Sequence, residues 1–342
     1  MKTQVLKPDD ENIRLAGELL KKGELVAAGT ETVYGLFADA YNGKAVKKIF
    51  EAKGRPQDNP LLAHIDSIEM MMDGLVSDFP EDAKKIADAF WPGPISMILP
   101  KGEKVSDETS AGLDTVGVRM PSNEIARRII HEAGVPLAGP SANLSGKPSP
   151  TTAQDTFVDL NGRVPLIIDN GRCPYGVEST VISVLGDKPV LLRPGFITKE
   201  EIEEVLQKEV HVSEAILGQL KEGEKAASPG MKYKHYAPKA NLTLVCGEFE
   251  DYIRYVENHP GENTYCMCFD GEEDNCPMPA ITYGKKEDGA EQAHQLFYVL
   301  RELDRKGAQT VYVRCEKIDG IYLAVYNRLI RASAFRIIHV SD

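Results

Sequence analysis

Apolar positions recur along the chain at two spacings, helical and alternating, and the switch between them predicts the elements. Over 9–22, Ile13, Leu15, Ala16, Leu19 and Leu20 fall on one helical face, with Asp9 or Asp10 to cap the start and Gly23 to end it. Residues 25–29 follow as a short buried strand, then a helix over 43–52 and a polar loop rich in Gly and Pro. Residues 60–65 read as a strand, 67–74 and 80–90 as helices, and 95–99 and 116–120 as further strands. A helix is predicted over 122–133, with Ser122 as N-cap, Glu124 in the first turn and Gly134 just past the end. Beyond it come a strand at 135–138, a long polar loop, a helix from Thr152, and strands near 164–169, 179–184 and 189–193. This mixture predicts an α/β or α+β domain of about 200 residues.

Residues 201–210 read as a helix and 211–240 as irregular. The segment from Ala227 to Pro238 is too rich in Pro and Gly for a long element, yet carries more aromatics than a plain spacer needs. From Asn241 the alternation resumes: strand 241–246, helix 248–258, strand 263–269, helix 288–306, strand 309–314 and helix 320–332. That predicts a second, smaller α/β domain of about 100 residues. No internal repeat and no low-complexity tract interrupts the pattern.

The charge balance narrows the function classes. With 52 acidic and 40 basic residues the formal net charge is -12, which disfavours a generic nucleic-acid coat but leaves room for a local basic pocket. No apolar run is long enough for a membrane-spanning helix, and the first residues lack the apolar core of a signal peptide. Cys173, Cys246, Cys266, Cys268, Cys276 and Cys315 are too sparse for a disulfide scaffold and read as reduced thiols of a cytoplasmic protein. Cys266, Cys268 and Cys276 could form part of a metal site, but no fourth ligand stands at a zinc-like spacing.

Three loops carry candidate chemistry. Lys53-Gly54-Arg55-Pro56 places two cations two residues apart in a stiffened loop, which suits a nucleotide phosphate; the alternative is a solvated turn. Thr30-Glu31-Thr32-Val33-Tyr34-Gly35-Leu36 follows the first strand, where α/β sheets place ligands; the alternative is a strand edge with β-branched residues. Gly139-Pro140-Ser141-Ala142-Asn143-Leu144-Ser145-Gly146-Lys147-Pro148-Ser149-Pro150 fails the P-loop pattern, since Ser141 stands where the first Gly belongs and Pro148 follows Lys147. It remains dense in hydroxyls and able to offer N–H groups to a triphosphate; the alternative is a long surface connection. Arg119 lies on an otherwise apolar strand and must meet a carboxylate of protein or ligand. His64 ends another apolar strand and reads more readily as a hydrogen-bonded core residue than as a catalyst. No Ser/His/Asp order, paired-carboxylate site or HExxH motif supports hydrolase chemistry.

Taken together, these segments resemble the YrdC-like family of threonylcarbamoyl-AMP synthases. The stretches that carry the resemblance are Thr30–Leu36, Lys53-x-Arg55-Pro56, Asn59-Pro60-Leu61, Arg119-Met120-Pro121, Pro140–Gly146, Glu178-Ser179-Thr180-Val181 and Arg193-Pro194-Gly195. Ser228-Pro229-Gly230-Met231-Lys232-Tyr233-Lys234-His235-Tyr236-Ala237-Pro238, with the α/β domain after it, is similar to the long, two-domain form. No motif departs from the family pattern; only the acidic balance sits awkwardly with the family's RNA-binding surface.

The resemblance implies a YrdC-like twisted open mixed sheet with helices over 9–205, a linker or lid over 206–240, and a Rossmann-like α/β domain over 241–342. It implies a cytoplasmic enzyme that converts L-threonine, bicarbonate and ATP to L-threonylcarbamoyl-AMP and pyrophosphate. Magnesium would bridge the phosphates, and a partner transferase would move the group to the adenosine beside the anticodon of tRNA, with tRNA contact an open question. Lys53 and Arg55 are then the catalytic cations on the phosphates. Asn59, Thr115, Ser141, Asn143, Ser149, Arg193 and Tyr236 complete the ATP side. Thr32, Tyr34, His64, Arg119, Gly139 and Ser179 hold threonine, and Tyr233, His235 and Tyr236 form a lid. Two other readings remain: a YrdC-like module that binds RNA without adenylating anything, and an O-carbamoyltransferase. The second lacks the repeated Cys-x-x-Cys pattern that such proteins carry.

Overall fold

The computed structural model describes residues 2–218 and 236–340. Local chemistry sets where its helices begin. Asp9 accepts the Asn12 N–H at 2.8 Å, and Asp10 and Glu11 occupy the first turn of helix Asp10–Lys21. Such a cap is worth about 1 kcal/mol, and the acidic turn faces the positive end of the helix dipole. The apolar face of this helix, Ile13, Ala16 and Leu20, packs with Ile129, Ile130 and Ala133 of helix Glu124–Ala133. A Cβ on Gly17 would lie 2.5 Å from that of Glu132, so the glycine permits the close approach. The second helix is capped by Asn123, whose side chain accepts the Ala126 N–H at 3.0 Å, and not by Ser122. Either residue type can cap; the one standing three residues before the third helical amide does so.

The described chain forms two units, one of residues 2–145 and 149–218, the other of 146–148 and 236–340. In the first, the strands are β1 (Gln4–Leu6), β2 (Val26–Gly29), β3 (Tyr34–Asp39), β4 (Leu62–His64), β5 (Ile95–Pro100), β6 (Thr115–Arg119), β7 (Leu137–Ala138), β8 (Leu166–Ile168), β9 (Thr180–Ser183), β10 (Val190–Arg193) and β11 (His211–Val212). Among the described residues they form one mixed sheet of 11 strands in the order β1-β8-β2-β3-β7-β4-β6-β5-β9-β10-β11. Three pairings bring the candidate polar residues together. β2 and β3 are an antiparallel hairpin with Gly29 opposite Tyr34. β4 and β6 run parallel and set His64 beside Arg119. β5 and β9 run parallel and set Ile95 beside Thr180.

The second unit carries β12 (Asn241–Cys246), β13 (Thr264–Cys268), β14 (Ala280–Thr282), β15 (Thr310–Cys315) and β16 (Ile337–His339). Their order is β14-β13-β15-β12-β16, and every pairing is parallel. Helices Phe249–Asn258, Gly289–Arg305 and Gly320–Ala332 separate these strands, except that β13 and β14 are joined through a single short 3-10 turn at Glu273–Asn275. The unit is thus a small α/β domain of the Rossmann-like kind expected. All six cysteines of the chain are free thiols. No helix among the described residues is long and apolar enough to cross a membrane.

Several boundaries differ from expectation. The stretch read as the loop Thr30–Leu36 is a turn only through Val33; from Tyr34 it is strand, because the ladder to β2 claims it. The helix expected over 201–210 is Lys199–Leu206, started by a Thr198–Glu201 capping box and stopped by Gln207 at φ 52. His211–Val212 pairs with β10 inside the stretch read as irregular. β1, β14 and β16 were not foreseen: each is three residues long and shows no usable period.

Candidate functional site

The turn between β2 and β3 lies against the C-terminal ends of β4 and β6, the end of a parallel pair where ligands gather. Arg119 Nη1 donates to the Thr32 hydroxyl at 2.9 Å. The Thr30 hydroxyl donates to the Val33 carbonyl and lies 2.8 Å from the Thr32 oxygen. Each hydroxyl has one proton, so Thr32 donates to Thr30 and the chain of donors runs from Arg119 inward. Arg119 Nη2 also lies 2.7 Å from Glu31 Oε1, with both side chains about nine-tenths buried or more. Burial works to raise the Glu31 carboxyl, but the Arg119 charge, helped by nearby backbone N–H groups, holds it below the usual carboxylate range. Of the partners expected for Arg119, the protein thus supplies one: Glu31.

His64 is buried beside this pair. Burial, with the Arg119 charge added, pushes its pKa down to about 3, so the ring is neutral at pH 7. Its Nδ1 faces the Leu137 carbonyl at a long 3.4 Å, and its ring meets Phe37 edge-on at 5.2 Å. A Cβ on Gly139 would lie 2.5 Å from the Phe37 ring and 3.3 Å from His64 Cε1, so this position needs the missing side chain. The Tyr34 hydroxyl is committed to the Gly171 carbonyl at 2.7 Å, and burial raises its pKa well above the usual value.

The basic loop begins where helix Gly43–Lys53 ends at Gly54, held in the left-handed region at φ 60. Lys53 is buried, and its Nζ donates to the carbonyl oxygens of Ser141 and Asn143, the latter at 2.6 Å. Ser141 Oγ donates to Asn143 Oδ1 at 2.5 Å, and the Ser145 N–H returns to the Lys53 carbonyl at 2.9 Å. Lys53 therefore fastens the Ser–Asn loop. The same loop is stitched to β3: Leu36 N–H donates to Pro140, Ala142 N–H to Tyr34, and Tyr34 N–H to Pro150, at 2.9, 2.8 and 2.9 Å. Arg55 Nη2 reaches the Asn59 carbonyl at 3.4 Å, and the buried Asn59 Oδ1 has no hydrogen-bond partner among the described residues.

A third cluster forms at the start of β9. Ser179 Oγ lies 2.8 Å from Ser96 Oγ, and Arg193 donates from Nη2 to that hydroxyl at 3.0 Å and from Nε to the Ser179 carbonyl at 2.9 Å. A β-bulge between Leu191 and Arg193 accompanies this placement. Ser149 Oγ donates to Glu178. One short segment ties this cluster to the first: Gly93 O accepts from Arg119 Nε at 3.4 Å, and Pro94 O accepts the Thr180 N–H at 2.9 Å.

Thr32, His64, Arg119 and Gly139 thus meet at one place, Lys53, Ser141 and Asn143 at a second, and Ser149, Ser179 and Arg193 at a third, all joined through the Ser–Asn loop, β3 and the 93–96 segment. Thr115 is at the other end of β6, about 13 Å of strand from Arg119. Tyr236 belongs to the second unit, where its ring lies 5.1 Å from that of Phe297 and the Arg328 guanidinium 6.0 Å from it. Tyr233 and His235 lie outside the described residues. Sequence reasoning missed Glu31 as the partner of Arg119. It also missed Asn170, whose side chain bonds both the N–H and the carbonyl of Gly29 at 2.8 Å, and Glu178, which takes the Ser149 hydroxyl. Asn170-Gly171 is a turn dipeptide and could have drawn notice; the other two contacts carry no local signal.

Comparison with known proteins sharpens the picture. Residues 18–195 match the model of the Sua5, YciO and YrdC proteins, described as "Telomere recombination", and residues 197–334 match "Threonylcarbamoyl-AMP synthase, C-terminal domain". The chain belongs to the Sua5/YciO/YrdC family. Within that family, the threonylcarbamoyl-AMP synthase of Pyrococcus abyssi is 43% identical over 341 residues, 97% of each chain. That of Bacillus subtilis is 43% identical over 341 residues, 98% of this chain and 97% of its own. The crystal structure of P. abyssi Sua5 complexed with L-threonine matches with a TM-score of 0.91 at 41% identity, covering 99% of this chain and 100% of that one. The family's two-domain form is therefore the form of this chain.

Proposed function

We propose that this protein is a threonylcarbamoyl-AMP synthase that joins L-threonine, bicarbonate and ATP and releases pyrophosphate. The observation that carries the reading is the near-full-length identity to two synthases of that name. In the mechanism proposed here, the threonine ammonium loses a proton to solvent, the amine and bicarbonate give a carbamate with loss of water, and the carbamate oxygen attacks the α-phosphorus while pyrophosphate leaves. No protein nucleophile is required; positioning and charge neutralisation suffice. Lys53 and Arg55 would neutralise the phosphates, with Asn59, Ser141, Asn143, Ser149 and Arg193 around the nucleotide. Arg119, Thr32 and Ser179 would hold threonine. The hydrogen bond from Arg119 to Thr32 supports this division, because it brings two of the three residues on the threonine side into contact.

Magnesium enters with the nucleotide as part of the substrate. No cluster of three or more His, Cys, Asp or Glu among the described residues forms a protein cage for an ion. A nucleotide-borne magnesium takes its ligands chiefly from phosphate and water. The product would pass to a transferase acting on tRNA, a step left to a partner. The binding-only alternative gains nothing from an acidic chain whose buried polar groups suit a small ligand.

The test is pyrophosphate release from ATP and magnesium with bicarbonate, comparing L-threonine, L-serine and no amino acid. Threonine-dependent release that is lost in Lys53→Ala and in Arg55→Ala is the expected result. No turnover together with no threonine binding would overturn the reading.

A further inference from the structure

The Glu31–Arg119 pair is close without being used up. Nη2 lies 2.7 Å from Oε1, yet among the described residues neither atom has a partner in hydrogen-bonding geometry, and Glu31 Oε2 has none either. The two side chains are only 4% and 5% exposed. Buried charged groups with unspent hydrogen-bonding capacity are costly, and a ligand that supplies the missing partners relieves that cost. What is missing is a donor for Glu31 and an acceptor for Arg119. The backbone N–H groups of Ser122 and Glu31 approach the carboxylate and lower its pKa, but neither makes a bond to it in good geometry, and the Thr32 hydroxyl proton is spent on Thr30. An α-amino acid carries an ammonium and a carboxylate on one carbon, a donor and an acceptor at the spacing of a single centre.

We infer that Glu31 receives the α-amino group of the amino-acid substrate while Arg119 takes its carboxylate, so that the pair reads the zwitterion and holds the nitrogen that is to be carboxylated. The inference rests on the synthase reading and adds to it a residue for the nitrogen. Glu31 acts as an acceptor and not as a base, because the neighbouring Arg119 keeps its carboxyl acidic. The ammonium gives one proton to solvent and a second leaves in the water expelled from bicarbonate; the carbamate nitrogen still bears one N–H, so the contact survives the step.

The test is calorimetric titration of the full chain with L-threonine and with (R)-3-hydroxybutyrate, which keeps the carboxylate and the hydroxyl and lacks the amine. A charge-assisted hydrogen bond corresponds to about ten- to hundredfold in affinity. The unaltered protein is expected to prefer L-threonine by that factor. In Glu31→Gln the preference should collapse: L-threonine weakens about ten- to hundredfold, while (R)-3-hydroxybutyrate binds unchanged or tighter, since Arg119 is released. In turnover, KM for L-threonine should rise while KM for ATP stays put. Equal weakening of both ligands would mean that Glu31 merely props Arg119, and would overturn the inference. Equal affinity of the unaltered protein for both ligands would overturn it even if the variant fails to fold. No threonine binding by the unaltered protein at all would instead remove the synthase reading beneath it.

Discussion

Replacing Arg119 by methionine should expose the energetics of the threonine pocket most directly. The substitution leaves Glu31 buried without its counter-charge, and breaking a buried ion pair in this way costs about 3–5 kcal/mol at pH 7. For a unit of this size that is a melting temperature lower by about 6–20 °C, at about 2–4 °C per kcal/mol. The deficit should depend on pH with a defined sign. In the unaltered protein Glu31 is held below its ordinary value of 4.5, so its contribution is present above that pH and is lost only on further acidification. In Arg119→Met burial, the largest influence, is opposed only by the backbone N–H groups of Ser122 and Glu31, and the carboxyl should rise above its ordinary value. Its penalty is then absent below the unfolded value and grows as pH rises toward the new folded one. The deficit should therefore be smaller at pH 5 than at pH 7, falling by at most about 1.4 kcal/mol per pH unit between the two pKa values. His64 is partly released by the same change and adds in the same direction below pH 6.5, so the comparison is repeated in a His64→Asn background. Trp91 is the chain's one tryptophan and lies next to the segment that accepts Arg119, so urea unfolding followed by its fluorescence reports this unit. The double variant with Glu31→Gln should recover most of the loss. A deficit equal at pH 5 and pH 7, or one below about 1 kcal/mol, would refute the assignment of a charged buried pair.

Three further outcomes are expected. Gly139→Ala should cost about 1–3 kcal/mol through the clash with Phe37 and should raise KM for L-threonine more than KM for ATP in the pyrophosphate assay. The His64 ring should show no titration by NMR between pH 5 and pH 8. Because its folded pKa of about 3 is below the ordinary 6.5, its contribution to stability is present above 6.5 and falls by up to about 1.4 kcal/mol per pH unit between 6.5 and 3. Asn170→Ala should lose about 1–3 kcal/mol by freeing both backbone groups of Gly29, and thermal unfolding would measure it.

Much of the fold was legible because its longer elements signal themselves. Helix Asp10–Lys21 has a capping Asp9, an acidic first turn and a spaced apolar face, and all three lie within a short window. The parallel strands of the second unit are mostly separated by helices, which leaves few topologies. Strand β3 was not legible as a strand: Gly35 weakens its propensity, and only the partner β2 makes it one. In the site, residue types and spacing marked out the three loops, and the family resemblance attached roles to them. What no spacing could reveal was contact between distant positions. Glu31 meets Arg119 across 88 residues of sequence, and Lys53 meets Asn143 across 90. Those meetings are products of strand order, and strand order is a tertiary fact.

The stitching of the Ser–Asn loop has a consequence for how the chain can vary. Surface loops ordinarily accept insertions more readily than the elements they join. Here Pro140, Ala142, Ser145 and Pro150 are each tied to a backbone group of β3 or of Lys53. One residue added or removed after Pro140 would slide every later tie by about 3.8 Å, more than a hydrogen bond can stretch. The number of residues between ties is thus fixed by the ties themselves. In this loop, chain length is as much a determinant of the site as any side chain.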